Sequence, residues 1–258
     1  TETVVVEPRL FALLLESAQI CRQTGGAFDP TSGPLVALWR ACRNELRIPT
    51  QPEIDDCLRQ VGVDHVEFVV PEHSIRFDGA GIELNLGGIG KGYALDRAGN
   101  ELTVRGVDEW LMHGGHSSLL ARGNHNGSGG WPVGIGNPLF TDQRLGTIVH
   151  TDCAMATSGS NIQYFRHQGK KYGQILDPRT GWPTETMLSV TVLAPTAAEA
   201  DALSTAFYVM GVEKVAECCD NLPGVSAILI PFPQGRQLDP IVLGIPEEKL
   251  FLDTTQLG

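Results

Sequence analysis

Positive charge is scarce in this sequence. Its 258 residues contain 19 Lys and Arg against 30 Asp and Glu, which gives a formal net charge of −11 at pH 7. Such an excess of negative charge disfavours binding to the phosphates of nucleic acid. An anionic nucleotide can still bind where a local basic group or a metal ion offsets the charge. We therefore expect no nucleic-acid partner.

Long apolar runs are absent as well. No stretch reaches the roughly 18 apolar residues that a membrane helix requires, so no integral membrane segment is expected in this chain. The hydrophobic content of 42% and the charged content of 19% are typical of a soluble globular protein. No signal peptide is recognisable, although Thr1 is not an initiator methionine and leaves room for a removed upstream segment.

Several catalytic and metal-binding patterns are missing. There is no G-x-S-x-G motif, which disfavours a Ser-His-Asp hydrolase. His113 and His116 flank two glycines but have no third ligand nearby in the sequence, so no transition-metal site is predicted. The six cysteines form no C-x-x-C pair and no zinc spacing, and their even number does not imply disulfides in a chain of this size. They are Cys21, Cys42, Cys57, Cys153, Cys218 and Cys219.

Glycine, in contrast, is abundant, and four glycines fall within residues 87–92. They follow a predicted strand at 82–86 and precede a helical pattern that runs to about Arg105. Glycines at such a junction allow positive φ and close approach of a ligand, and a helix N-terminus with Lys91 suits an anion. Gly92 stands where a P-loop needs Ser or Thr, and the Rossmann spacing also fails. The alternative is a plain glycine turn between packed elements.

Hydrophobic periodicity predicts an α+β fold with antiparallel sheets packed against helices. With no repeat or linker, residues 1–258 are predicted to form one domain. Segment 27–34 is expected to be irregular, and 157–159 to begin a loop. The first helix, 9–22, is expected to bury Leu10, Leu13, Leu14, Ala18 and Cys21. Capping boxes at Thr50 and Thr196 predict two more helices, and the second of these runs to about Met210. A shorter helix is predicted at 212–220. Predicted strands are 65–70, 74–78, 110–112, 119–121, 132–135, 146–150, 164–167, 171–176, 188–193 and 225–230.

One helical pair has the chemistry of a metal site. Asp201 and Thr205 are four residues apart, so they lie on one helix face, and a carboxylate with a hydroxyl suits Mg²⁺. The alternative is an exposed Asp beside a Thr bonded to its own helix. Ser158, in Thr157-Ser158-Gly159, could bind phosphate, and Asp177-Pro178-Arg179-Thr180-Gly181 could be only a tight turn with an exposed Arg.

A series of motifs spread over residues 9–230 resembles the FAD:protein FMN transferase (ApbE) family. The family's N-terminal strand region, which normally precedes the first helix, is apparently missing. The resemblance implies an ApbE-like, T-fold-like flavin transferase architecture. The motifs are Gly26-Ala27-Phe28-Asp29-Pro30-Thr31 with Gly33-Pro34-Leu35 and Trp39, then Leu86-Gly87-Gly88-Ile89-Gly90-Lys91-Gly92-Tyr93-Ala94 with Asp96, then Gly114-Gly115, Trp131 with Val133-Gly134-Ile135, Ala156-Thr157-Ser158-Gly159, Asp177-Pro178-Arg179-Thr180-Gly181, and Ala200-Asp201-Ala202-Leu203-Ser204-Thr205-Ala206.

The resemblance implies a Mg²⁺-dependent enzyme that cleaves FAD and transfers FMN through a phosphoester to a Thr or Ser of an acceptor flavoprotein, releasing AMP. Some members instead hydrolyse FAD to FMN and AMP. Asp201 and Thr205 match the metal ligands, together with the Gly90 carbonyl, and Asp201 and Lys91 are candidate catalytic residues. The implied cofactor-binding residues are Ala27, Phe28, Asp29, Gly87, Gly88, Tyr93, Gly115, Ser158, Asp177, Arg179 and Thr180.

Three positions depart from the family pattern. Gln174 stands where most members have His, a candidate for handling the acceptor's proton, and Gln cannot act as a base at neutral pH. His116 and Ser160 stand where Asp is common, and His116 is a further catalytic candidate because it could supply the imidazole. The alternative function is a divergent member that binds flavin or nucleotide with little transfer. The resemblance implies a periplasmic or membrane-tethered protein, since members are often exported, but six cysteines fit an oxidising compartment poorly and leave a cytoplasmic location open.

Overall fold

A computed structural model describes residues 3–115, 117–140, 142–159, 164–233 and 237–253. The helices are α1 (Pro8–Gln23), α2 (Gly33–Asn44), α3 (Gln51–Leu58), α4 (Gly90–Val104), α5 (Ala197–Met210) and α6 (Val212–Asn221). The strands are β1 (Thr3–Val5), β2 (Val66–Val69), β3 (Ser74–Phe77), β4 (Trp110–Gly114), β5 (Ser118–Arg122), β6 (Trp131–Gly136), β7 (Arg144–His150), β8 (Ala154–Gly159), β9 (Tyr164–His167), β10 (Lys170–Gly173), β11 (Met187–Ala194), β12 (Ser226–Pro231), β13 (Ile241–Leu243) and β14 (Leu250–Leu252).

The chain forms two compact units. Unit 1 contains residues 1–87 and 163–184, and unit 2 contains residues 88–162 and 185–258. The boundary between Gly87 and Gly88 lies inside the glycine-rich loop. The single domain expected from the sequence stays a prediction.

Unit 1 combines a small sheet, a hairpin and three helices. The sheet has the strand order β1-β3-β2, and the hairpin pairs β9 with β10. Phe11 and Leu14 of α1 pack with Val66 and Ile75 of the sheet. A second cluster holds α2, α3 and the hairpin together through Leu35, Trp39, Ile54 and Tyr172.

Unit 2 is built on a six-stranded sheet with the order β13-β12-β11-β8-β5-β4 and a three-stranded sheet with the order β14-β7-β6. Every residue of β11 is buried. Helix α5 contacts β8, β11 and α4. Its alanines, including Ala198, Ala202 and Ala206, are buried and keep the helix narrow enough for these close contacts.

The predicted α+β class is confirmed, and all named strand pairs in the described residues are antiparallel. Both capping residues begin their helices as predicted. The Thr50 N–H donates to Glu53 at 2.7 Å, and the Glu199 N–H donates to Thr196 Oγ1 at 3.1 Å. Each bond satisfies a backbone donor at the start of its helix that has no partner within the helix.

Other local predictions were wrong. Helix α2 begins at Gly33, inside the segment 27–34 that was expected to be irregular, because Pro34 is tolerated in a first turn. Residues 82–86 form no strand, since Asn85 N–H donates to the Pro30 carbonyl at 2.6 Å and ties the segment to a loop. Residues 157–159 end strand β8 instead of beginning a loop. Leu10 is 38% exposed, and Phe11 takes its place in the core.

The glycine-rich loop also differs from expectation. The glycines at 87, 88, 90 and 92 are all described, and none has a positive φ. Gly92 instead permits close packing of α4 against α5, because a Cβ built there would lie 1.9 Å from the Ala197 carbonyl oxygen. The glycine requirement at this position is therefore steric.

All six cysteines are free thiols. Burial raises the pKa of the thiols of Cys21, Cys42, Cys57, Cys153, Cys218 and Cys219, that of Cys219 to about 11. None of the described helices combines the length and the apolar character needed to cross a bilayer.

The contact at Gly92 gives a stability test. We expect Gly92→Ala to lower the free energy of unfolding by roughly 3 kcal/mol, because the added methyl group forces α4 and α5 apart. Differential scanning calorimetry measures this as a lower Tm. Gly90→Ala is the matched control, since a Cβ there meets nothing within 4 Å. Equal melting of the two variants would contradict the steric explanation.

Candidate active site

The carboxylate of Asp201 accepts hydrogen bonds from two other elements of unit 2, α4 and β5. Asp201 lies on α5 and is 4% exposed. Its Oδ1 accepts hydrogen bonds from Lys91 Nζ at 3.0 Å and from Ser118 Oγ at 2.9 Å. Its Oδ2 accepts from the Gly92 N–H at 3.1 Å and from Lys91 Nζ at 3.2 Å. A buried carboxylate with charged and neutral donors on both oxygens is well compensated, and its position is fixed.

The anion predicted for the N-terminus of α4 is therefore supplied by the chain itself. Helix α4 begins at Gly90, and the Gly92 N–H belongs to the first turn, where backbone donors lack helical partners. The Asp201 carboxylate accepts from this N–H, at the positive end of the helix dipole. The Lys91 side chain, half exposed, reaches the same carboxylate from the solvent side.

A second carboxylate joins the same two helices. Asp96, on α4, accepts from the N–H groups of Ala197 at 2.8 Å and Ala198 at 2.9 Å, which are the first residues of α5. Burial raises the pKa of Asp96, and burial together with the charge of Asp96 raises the pKa of Glu199. Asp96 thus caps the helix that carries Asp201, and it fixes the distance between α5 and Lys91.

Hydroxyl groups from β8 and α5 meet one turn further along α5. Ser158 Oγ lies 3.0 Å from Ser204 Oγ and 3.4 Å from Thr205 Oγ1. Thr205 Oγ1 also donates to the Asp201 carbonyl at 3.3 Å. The alternative to a metal site was an exposed Asp201 and a Thr205 bonded to its own helix. The prediction for Thr205 is confirmed, and the prediction that Asp201 is exposed was wrong. Unit 2 therefore brings together Lys91, Ser158, Asp201 and Thr205.

The donor set in unit 2 fits a hard cation such as Mg²⁺. Carboxylate, hydroxyl and carbonyl oxygens are the groups that Mg²⁺ prefers, and this ion is usually held by one or two carboxylates plus substrate phosphates. No cluster of three or more His, Cys, Asp or Glu side chains suited to a metal occurs in the described part of the chain. Space next to Gly90 is open, since a Cβ there would meet nothing within 4 Å. The residues fit a cation shared with a phosphate better than one enclosed by protein alone.

In unit 1, the Ala27-Phe28-Asp29 motif is mostly internal. Ala27 and Phe28 are buried, so their side chains belong to the core of the unit. Asp29 is 7% exposed, and its Oδ1 accepts from the N–H of Thr31 at 2.8 Å and from its Oγ1 at 2.5 Å. The motif is thus a rigid turn with a fixed carboxylate.

The Asp177–Gly181 turn lies against the same motif. Arg179 donates from Nε and Nη2 to the two carboxylate oxygens of Asp177, each at 2.8 Å. A Cβ built on Gly26 would lie 3.5 Å from Arg179 Cγ, which places the turn beside the first motif. Arg179 is exposed, as the sequence alternative expected, and its guanidinium group is paired with the carboxylate of Asp177.

The remaining predicted residues are dispersed. The Gly87 N–H donates to Asn85 Oδ1 at 2.8 Å, and Tyr93 lies in α4 next to Gly92. Gly115 has a φ of +71° and follows β4. Thr180 Oγ1 accepts from the Trp182 N–H at 3.3 Å, and Gln174 is exposed. His116 and Ser160 lie outside the described residues, and Gly88 is the first residue of unit 2.

Ser118, Ser204 and the capping role of Asp96 were missed by the sequence reasoning. Ser118 is far from Asp201 in sequence, and the partnership depends on β5 lying next to β8. For Ser204, the signal in the sequence was the Ala-Asp-x-x-Ser-Thr pattern, which places this residue one helical turn after Asp201. Asp96 was part of the glycine-rich motif that the chain shares with the family, but nothing in the sequence connects it with Ala197.

Comparisons with known proteins identify the family of this chain. A sequence model of the ApbE family matches residues 1–229. The FAD:protein FMN transferase of Treponema pallidum is 34% identical over 90% of this chain and 68% of its own length. That of Escherichia coli is 33% identical over 80% of this chain, and the match spans 60% of its length. The crystal structure of the ApbE protein of Thermotoga maritima superposes with a TM-score of 0.81, at 33% identity over 90% of this chain and 75% of that one.

The fold and the matches define a class of flavin-related transferases. This chain belongs to the ApbE family. The resemblance found from the sequence motifs is therefore confirmed, and so is the ApbE-like architecture.

The cap on α5 can be tested directly. We expect Asp96→Ala to lower the free energy of unfolding by about 1–2 kcal/mol, because the Ala197 and Ala198 N–H groups lose their acceptor. Urea denaturation followed by circular dichroism measures the change. Asp108→Ala, at an exposed position of the same unit, is the control. A midpoint shift no larger than that of the control would rule out the cap.

Proposed function

We propose that this chain is an FAD:protein FMN transferase. It cleaves the pyrophosphate of FAD, transfers FMN through a phosphoester to a Thr or Ser of an acceptor flavoprotein, and releases AMP. Membership of the ApbE family and the names of the relatives support the reaction class. The observation that carries the proposal is the buried Asp201 carboxylate, held by Lys91 and by the first turn of α4.

The reaction balances without a redox partner. The hydroxyl oxygen of the acceptor forms a bond to the phosphorus of the FMN half, and the bond from that phosphorus to the bridging oxygen breaks. AMP leaves with the bridging oxygen, and the hydroxyl proton passes to a base. Transfer of this kind depends mostly on positioning and on stabilisation of charge at the phosphate oxygens.

In unit 2, Asp201, Thr205 and the carbonyl of Gly90 would hold Mg²⁺. A bound Mg²⁺ would neutralise charge on the pyrophosphate oxygens. Lys91 holds the carboxylate of Asp201 in position. Its half-exposed ammonium group can turn from this carboxylate to a phosphate oxygen, and Ser118 keeps Asp201 oriented while Lys91 moves.

The residues proposed for flavin binding belong to both units. In unit 1, the turn at Asp29 and the Asp177–Arg179 pair offer fixed polar groups next to each other in the fold of that unit. In unit 2, Tyr93 lies in the first turns of α4, and Ser158 lies beside Thr205. Fixed donors and acceptors of this kind orient a cofactor with little reorganisation on binding.

Proton removal from the acceptor is where this chain differs from most members. Gln174 is exposed and has no basic group, so it can position a hydroxyl but cannot take its proton. His116 stays the sequence-based candidate for the base. The substitution at position 174 favours a second function, in which the chain binds flavin with little transfer. A third possibility is FAD hydrolysis, with water as the acceptor.

A turnover assay tests the metal and Asp201 together. We expect purified protein with FAD and Mg²⁺ to release AMP, and removal of the metal with EDTA to stop the release. Asp201→Asn keeps the shape but removes the charge, and we expect about a hundredfold or greater loss of rate. The products are measured by liquid chromatography.

Asp108→Asn is the matched control, and it should retain the full rate because Asp108 is an exposed Asp of the same unit. FAD that binds without AMP release would favour the flavin-binding alternative. AMP release unaffected by both EDTA and Asp201→Asn would refute the proposed metal site.

A further inference from the structure

Two elements of unit 1 carry positive charge without any negative charge. Helix α2 carries Arg40 and Arg43, and the β9–β10 hairpin carries Arg166, Lys170 and Lys171. Neither the helix (33–44) nor the hairpin (164–173) contains an Asp or Glu. The net charge of the whole chain is −11, so this local excess of cations is opposite in sign to its surroundings. We call these five side chains the basic face, in which Lys170 projects from the side of the hairpin opposite to Arg166 and Lys171.

The carboxylates nearest to α2 in sequence do not pair with Arg40 or Arg43. Glu45 and Glu53 are both bonded to Arg47, at 2.6 Å and 2.8 Å. Arg40 and Arg43 are exposed, and neither forms an ion pair among the described residues. Two guanidinium groups are therefore available to a ligand.

The hairpin keeps like charges close together. Arg166 and Lys171 stand directly opposite each other across the two strands, an arrangement that destabilises a hairpin. Both cations lie over the ring of Tyr164, at 5.7 Å and 4.4 Å from its centroid. Lys170 lies over Tyr172 at 5.3 Å. Ring contacts offset part of the repulsion.

Helix α2 and the hairpin also line a cavity of 210 Å³, and Gln174 lies in its wall. Trp39, Phe165 and Tyr172 form an aromatic cluster in its wall, with ring centroids 5.3–6.1 Å apart. Arg40 and Arg43 line the same cavity. Sites for complete cofactors and drug-sized ligands are typically larger, about 300–1,000 Å³, so this volume suits a single apolar side chain.

We propose that the basic face and this cavity bind an acidic segment of the acceptor protein. An aromatic or large aliphatic side chain of the segment enters the cavity, and neighbouring carboxylates pair with Arg40 and Arg43. Paired guanidinium–carboxylate contacts and a buried aromatic anchor are the contacts that dominate protein recognition. The identity of the partner as an acceptor rests on the proposed transferase function, whereas the chemistry of the site does not.

The test uses a fluorescein-labelled peptide of alternating Glu and Ser with one central Phe. Two matched peptides replace every Glu by Lys or the Phe by Ser. We expect the full protein to raise the anisotropy of the first peptide only, and added salt to weaken this binding. Arg40→Glu/Arg43→Glu should weaken it by at least about tenfold.

The control variant is Arg9→Glu/Arg22→Glu, which changes the net charge equally at exposed positions of α1. This control should bind the peptide as the parent protein does. Equal peptide affinity in the two double variants would overturn the proposal, and so would equal binding of the Phe and Ser peptides.

Flavin binding is measured in parallel from FAD fluorescence. We expect Arg40→Glu/Arg43→Glu to bind FAD as the parent protein does. Loss of FAD binding in this variant would assign the cavity to the flavin instead and overturn the proposal. Absence of AMP release from the parent protein, with peptide selectivity intact, would refute the transferase function alone.

Discussion

The carboxylate of Asp201 connects three elements that are distant in sequence. Lys91 and Gly92 reach it from the start of α4, Ser118 reaches it from β5, and it is itself part of α5. Each donor satisfies a charge that would be costly to bury alone. The arrangement requires α4 and α5 to touch, which only a glycine at position 92 permits. Fold and site in unit 2 therefore depend on the same contact, since the packing that buries Asp201 also supplies its partners.

Much of the architecture could be predicted because it is encoded locally. A capping box begins α3, the Thr196 side chain caps α5, and apolar patterning marks α1 and β11. The Asp201–Thr205 spacing placed both residues on one helix face. Helix α2 was missed because its first turn consists of Gly33 and Pro34, which are usually read as helix breakers. The segment 82–86 alternates like a strand but finds its partner in a loop.

The parts that could not be predicted depend on tertiary pairing. Ser118 becomes a donor to Asp201 only because β5 lies next to β8, below α5. Asp96 caps a helix that begins about a hundred residues later, and no spacing rule connects the two. The basic face could not be predicted for the same reason, because α2 and the hairpin that carry it are far apart in the chain. A net charge of −11 describes the average of the surface and conceals such a local reversal.

The raised thiol pKa values have a practical consequence. Nucleophilic attack by cysteine requires the thiolate, and all six thiols are shifted toward the protonated form by burial. Their background reaction with maleimides at neutral pH should be slow. A cysteine introduced at an exposed site would then carry a spectroscopic label selectively, without prior removal of the native ones. Two such cysteines in one unit would carry a pair of spin labels, and the distance between the labels could be measured by electron spin resonance.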